Sequence, residues 1–192
     1  MSSKGSGDGG RSRIIQAARE FFVQKGFHQT AMGELSERAS ISVGQIYRLF
    51  ENKSQIIVAI IEEDMDRRVA ALEAILRSIK DGLIPIHVGL EQVVACALGD
   101  AYKALNFEIL AEAFRNIAAA GVISRTCERY RILLRQLAQC ANPRLEGDRL
   151  AGAEEILLAC LFGLGNRSFS KPTTSFERTV KLTADFLFAA LQ

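Results

Sequence analysis

The chain has 192 residues, 48% of them hydrophobic and 24% charged, with 24 Lys and Arg against 22 Asp and Glu. That length and apolar content suit one large domain, or a small one joined to a larger, and exclude a wholly disordered chain. The formal net charge of only +2 argues against a generally basic nucleic-acid coat protein, although residues 1–55 carry eight Lys/Arg against five Asp/Glu.

Residues 1–10 are Gly- and Ser-rich and read as a flexible tail. From Arg11 the apolar pattern is helical: Ile14, Ala18, Phe21 and Phe22 share a face, and Gly26 closes the first helix. Thr30 is placed to cap a short second helix with Met32, Leu35 and Ala39 inward, and Ser42 a third with Ile46, Leu49 and Phe50. Asn52, with Gln55 three positions on, opens a long fourth helix through Ile56, Ile60, Met65, Val69 and Leu76 to Asp81 and Gly82. Five further helices are expected near 86–103, 105–119, 121–141, 147–166 and 174–191, with breaks at Asn106, Gly121, Asn142 and Lys171. No segment alternates with period two, so the predicted fold is all-α with about nine helices: residues 11–52 form one domain and 53–192 a larger one.

Cys96, Cys127, Cys140 and Cys160 form no Cys-x-x-Cys pair, and His28 and His87 lie at no zinc-ligand spacing. The reading is buried reduced thiols, no metal and no cofactor. There is no apolar stretch of a secretory signal at the N-terminus, and the densest apolar run, 156–164, is too short to span a bilayer, so no membrane partner and a cytoplasmic location are expected. No catalytic triad or phosphate loop can be assembled, which predicts no enzyme. The acids Glu62, Glu63, Asp64 and Asp66 point around a helix and are expected in solvent.

Residues 30–50 have the proportions of a helix-turn-helix, with a second helix short enough for the ~12 Å major groove. If Ile46 and Phe50 face inward, Gln45 can pair with an adenine, Val43 can touch a thymine methyl, and Gly44 lets the backbone approach closely. Tyr47, Arg48 and Lys53 suit phosphate contacts, as do the helix starts at Ser42 and Asn52. Each has a plainer alternative: Gln45 in a capping box with Ser42, Tyr47 in the core, Arg48 and Lys53 as solvated charges.

The run TAMGELSERASISVGQIYRLFENKSQ, residues 30–55, resembles the DNA-binding segment of TetR-type transcriptional regulators. The resemblance rests on Thr30, Glu34, Leu35, Ser36, Ala39, Ile41, Ser42, Gly44, Ile46, Tyr47, Phe50, Asn52 and Lys53, preceded by the Ile14, Ile15, Ala17, Ala18, Phe21 and Phe22 pattern. Two positions depart from it. Ser40 stands where Gly is usual, implying a backbone conformation unfavourable by about 1 kcal/mol, and Val43 stands where Lys is common. The resemblance implies Thr30, Ser42, Val43, Gly44, Gln45, Tyr47, Arg48 and Lys53 as the DNA-facing set.

One helix-turn-helix reads few bases, so a homodimer on a palindromic operator is expected. The last helix carries two apolar stripes, Phe176, Val180, Thr183 and Leu187 against Leu182, Phe186 and Ala189. With Leu157, Leu161 and Leu164 in the preceding helix they offer half of an intermolecular four-helix bundle, with Phe176, Val180 and Leu187 as its further members; the alternative is that both helices are central to one subunit's core. The family resemblance also implies an effector pocket in the middle helices, for which Met65, Cys96, Tyr102 and Phe114 are candidates, or else plain core. The segment at 107–116 resembles AcrR-like members and implies a small hydrophobic effector. The function expected is a ligand-released repressor; the alternatives are an activator of the same fold and a helical protein–protein adaptor that binds no DNA.

Overall fold

Helix starts and stops follow local capping wherever a side chain can reach the free backbone groups. A computed structural model describes residues 5–99 and 103–192, and among these there are nine α-helices, one short 3-10 turn and no strand. The helices are α1 (Gly5–Lys25), α2 (Met32–Ala39), α3 (Val43–Leu49), α4 (Lys53–Lys80), α5 (Ile86–Leu98), α6 (Lys103–Ala113), α7 (Ile117–Ala141), α8 (Gly147–Gly165) and α9 (Phe176–Ala190). The all-α expectation holds.

The break expected at Asn106 lies inside α6, and three other boundaries differ from the sequence reading. First, α1 extends back to Gly5 through residues read as tail, and Gly10 is buried, with a Cβ there 3.6 Å from Ile41 and 3.7 Å from Leu49. The remainder of the tail, residues 1–4, lies outside the described residues. Second, Ala31 rather than Thr30 occupies the N-cap of α2, and the Glu34 carboxylate accepts from the Ala31 N–H at 2.8 Å. Third, the break expected at Gly121 lies inside α7. The chain instead breaks before Ile117, where the Asn116 side-chain oxygen accepts from the N–H groups of Ala118 and Ala119 at 3.0 and 3.2 Å.

The chain divides into two compact units. Unit 1 comprises Met1–Met65 and Tyr102–Ser124, more than the 11–52 segment delimited from sequence. Its core joins Ile14, Ala18 and Phe22 of α1 to Leu35 and Ala39 of α2, Ile46 of α3, Ile56 and Ile60 of α4, and Leu105 and Ile109 of α6. A buried ion pair lies within it: Arg19, 3% exposed, donates to Asp64 at 2.7 Å and to Glu63 at 3.2 Å. Burial works against the Arg19 charge, but the two carboxylates outweigh it and raise its pKa. Two of the acids expected in solvent are therefore structural. They are drawn in because Arg19 on α1 cannot be buried without partners. Asp66 pairs with Arg129 in unit 2.

Unit 2 comprises Asp66–Ala101 and Arg125–Gln192. Its core holds Leu72 and Leu76 of α4, Leu90 and Val94 of α5, Leu134 and Leu137 of α7, Leu157 and Leu161 of α8, and Leu187 of α9. Gly89 permits a close helix approach, since a Cβ there would stand 2.4 Å from the tip of Ile79. Glu154 on α8 is 3% exposed and is gripped by Arg131 and Arg135 of α7. Burial opposes its charge, but the two guanidinium groups hold its carboxyl below the ordinary range. Asn142 closes the unit by donating to the carbonyls of Leu191 at 2.9 Å and Gln192 at 3.0 Å.

No described helix is long and apolar enough to cross a membrane. Among the described residues no group of three or more His, Cys, Asp or Glu side chains is placed to hold a metal ion. The four cysteines are free; Cys96 is exposed and the other three are half-buried, so the reading of all four as buried core thiols is corrected.

Candidate nucleic-acid interface

The turn between α2 and α3 is closed by backbone bonds. The Ser40 N–H donates to Glu37 O at 3.2 Å and the Ile41 N–H to Ser36 O at 3.1 Å, while the Ser36 hydroxyl donates to Ile41 O at 2.6 Å. Those bonds require a left-handed residue between the helices, and Ser40 supplies it at φ 52°, ψ 49°. The strain expected at this position is present.

On α3, Ile46 is fully buried and Phe50, just beyond the helix, is 3% exposed. This i, i+4 pair turns the opposite face outward: Val43, Gly44, Gln45, Tyr47 and Arg48 are exposed, Tyr47 by 51%. Gly44 has no atom within 4 Å of a hypothetical Cβ, so a DNA backbone could approach it closely. Ser42 caps the helix: the Gln45 N–H donates to its hydroxyl oxygen at 3.2 Å, and the Ser42 N–H donates back to the Gln45 side-chain oxygen at 3.2 Å. The capping-box alternative thus forms in the DNA-free chain. A bidentate pairing of Gln45 with adenine requires its oxygen to leave the Ser42 N–H, whereas its NH₂ group is available without that exchange.

Two members of the expected DNA-facing set are placed elsewhere. Thr30 is 3% exposed and donates its hydroxyl to Gly26 O at 3.0 Å, satisfying a carbonyl at the end of α1. Lys53 donates to the carbonyls of His28 and Thr30, both at 2.9 Å, and its ammonium lies 4.7 Å from the centroid of the Phe27 ring. Burial lowers its pKa, against the opposing charge of Glu112. Both side chains act on the turn before α2 rather than on the outward face of α3. Nothing in the sequence near 53 signals this, because the partners lie more than twenty positions away.

The expected effector residues fall in both units. Phe114 is 91% exposed, Cys96 is exposed, Met65 packs against the unit 1 core, and Tyr102 lies outside the described residues. Phe114 falls in the break between α6 and α7. In unit 2, Tyr130 was not singled out from sequence; burial pushes its phenol up to about 12. A cleft of about 290 Å³ is lined by Glu73, Leu76, Arg77, Lys80, Leu133 and Gln136, none of them in the expected set.

The expected dimer residues divide between two faces. Leu157, Leu161 and Leu187 are 1%, 5% and 5% exposed and belong to the core of their own unit; Leu164 and Val180 pack against that core. Phe176, by contrast, is exposed, and it is joined on the outer side by Ile156, Phe162, Leu182 and Phe186, the last 76% exposed. Both helices are apolar on two sides, as the sequence implies, but α5 covers the Leu157 and Leu187 side.

Residues 14–60 match the family described as bacterial regulatory proteins, tetR family. The chain is 34% identical over 116 residues to the HTH-type transcriptional regulator UidR of Escherichia coli K12, a match covering 59% of this chain and 56% of UidR. It therefore spans little more than half the length of that relative. The solved structure of GusR from Salmonella enterica is 26% identical, with a TM-score of 0.70 over 94% of this chain and 95% of GusR. FadR from Bacillus subtilis, solved in complex with stearoyl-CoA, shares the fold at 16% identity, with a TM-score of 0.69 over 94% of this chain and 99% of FadR. The strained Ser40 turn and the outward face of α3 both lie within residues 14–60, the stretch that matches the tetR family, and UidR and FadR, which the chain resembles, are transcriptional regulators.

Proposed function

We propose that the protein binds a palindromic DNA operator as a homodimer and represses transcription until a small effector releases it. The observation that carries the reading is the face of α3: Gly44, Gln45, Tyr47 and Arg48 exposed together on a short helix whose opposite side is locked by Ile46 and Phe50. Gln45 and Val43 are the base-reading side chains, and Tyr47, Arg48 and the Ser42 helix start are the phosphate contacts. Thr30 and Lys53 support the turn behind them.

Dimerisation uses the outer faces of α8 and α9, where Ile156, Phe162, Phe176, Leu182 and Phe186 are all more than 40% exposed. Large apolar side chains exposed in this number favour a subunit contact over solvent. The effector is a small, largely hydrophobic molecule; the stearoyl-CoA complex of FadR supports that class, and the site of action is the cytoplasm.

Binding to a duplex enriched by the full chain from random sequence tests the reading. Tyr47→Ala is expected to weaken every duplex alike, whereas Gln45→Ala relaxes preference at one base pair by about 1–3 kcal/mol. Unchanged affinity and preference in both variants would remove α3 from the DNA. Stearoyl-CoA is the first effector probe: release of the duplex by micromolar ligand supports the acyl class, and release only by other small molecules excludes it.

A further inference from the structure

The turn between α1 and α2 is held from outside by side chains that the DNA-reading face does not use. Phe27 is 5% exposed, and its backbone N–H donates to the Glu108 carboxylate of α6 at 3.1 Å, across 81 positions of sequence. Gly26, at φ 86°, rests against the same carboxylate, where a Cβ would stand 3.4 Å from Oε1. The His28 ring nitrogen Nε2 lies 3.1 Å from the Arg115 guanidinium, just past the end of α6. From the other side, Lys53 of α4 grips the carbonyls of His28 and Thr30 and lies over the Phe27 ring. Glu112, 7% exposed, presents its negative charge to that ammonium. The backbone or side chain of residues 26, 27, 28 and 30 is thus engaged within six residues of the start of α2.

We propose that Glu108, assisted by Arg115 and Lys53, is a positioning residue of the reading head: it fixes the turn from which α2 and α3 hang, and so the orientation in which α3 meets DNA. The two helices move together, because the Ser36, Glu37 and Ile41 backbone bonds and the left-handed Ser40 join them tightly. A change in the turn therefore reaches α3 undamped. Without the carboxylate, the buried Phe27 N–H has no acceptor, and the turn populates arrangements that must be reordered before DNA is bound.

The inference rests on the DNA-reading function proposed above, and it is tested on the full chain with the duplex that the wild type enriches from random sequence. Glu108→Ala is expected to weaken binding about tenfold, and Glu108→Gln, whose amide oxygen can accept the same N–H, to recover it to within about threefold. Amide hydrogen exchange over residues 27–31 is expected to quicken in Glu108→Ala while α9 keeps its protection, a pattern that general destabilisation does not give. Wild-type affinity in Glu108→Ala, or no recovery in Glu108→Gln, would overturn the proposal. Should Glu108→Ala fail to fold, Arg115→Ala at the exposed contact decides it: binding weakened about threefold supports the clasp, and equal affinity rejects it. If the wild type enriches no duplex, the DNA-reading function itself falls and the clasp with it; if the wild type binds and the variants bind equally well, only the clasp falls.

Discussion

Ser40 holds a left-handed backbone that glycine adopts without steric cost, so Ser40→Gly should stabilise the protein. At φ 52°, ψ 49° the Ser Cβ crowds the carbonyl that follows, a strain of about 1–2 kcal/mol for an L-residue. Glycine also gains freedom in the unfolded chain, which returns roughly 0.4–1 kcal/mol. The side chain is exposed, so little packing is lost, and the net expectation is a gain of about 0.5–1 kcal/mol in unit 1. For a chain of this size that is about 1–4 °C in melting temperature. Ser40→Ala separates the two effects, because alanine keeps the Cβ and should leave stability nearly unchanged. Differential scanning calorimetry, with amide exchange at Leu35 and Ile46 to localise the gain, measures both variants. A glycine variant no more stable than the alanine variant would refute the strain at this turn.

Three further outcomes follow from the packing. Arg19→Ala removes the buried guanidinium that donates to Asp64 at 2.7 Å and to Glu63 at 3.2 Å, and is expected to cost about 1–3 kcal/mol in urea unfolding of the full chain. Phe186→Asp should yield a folded monomer by analytical ultracentrifugation, whereas Leu187→Ala should keep the dimer and lose about 2–5 kcal/mol of stability; the reverse assignment would show that α9 faces the other way. Because Arg131 and Arg135 depress the Glu154 carboxyl below its ordinary 4.5, its stabilisation is present above that pH and is lost as the pH falls through the folded value. Thermal melts from pH 7 to pH 3 should therefore show the wild type converging on Glu154→Gln only on the acid side of 4.5, and a constant difference would contradict this.

What could be read from the sequence was local. The Ile46 and Phe50 spacing, the Ser42 and Asn52 caps and the strain at Ser40 depend on neighbours within a few positions, and the structure contains all of them. Thr30 and Lys53 matched the same motif, yet their final partners, Gly26 O and the carbonyls of His28 and Thr30, are set by how α1 meets α2 and α4. The two stripes of α9 were visible, but Leu187 and Phe186 are adjacent and similar in character. Only the placement of α5 decides which turns inward. By pattern Gly121 reads as a stop, whereas the Asn116 side chain supplies the cap that starts α7 at Ile117. The Glu108 contact with Phe27 carries no sequence signal at all, since a carboxylate 81 positions away has no local pattern.

The most direct measurement is selection of duplex DNA from a random pool by the full-length protein, followed by sequencing and by binding across a range of salt. A DNA-reading α3 in a two-fold dimer predicts an inverted repeat with half-sites about one helical turn, 34–36 Å, apart or a multiple of it, bound far more tightly than shuffled sequence. Enrichment of no sequence above salt-sensitive, non-specific binding would contradict it.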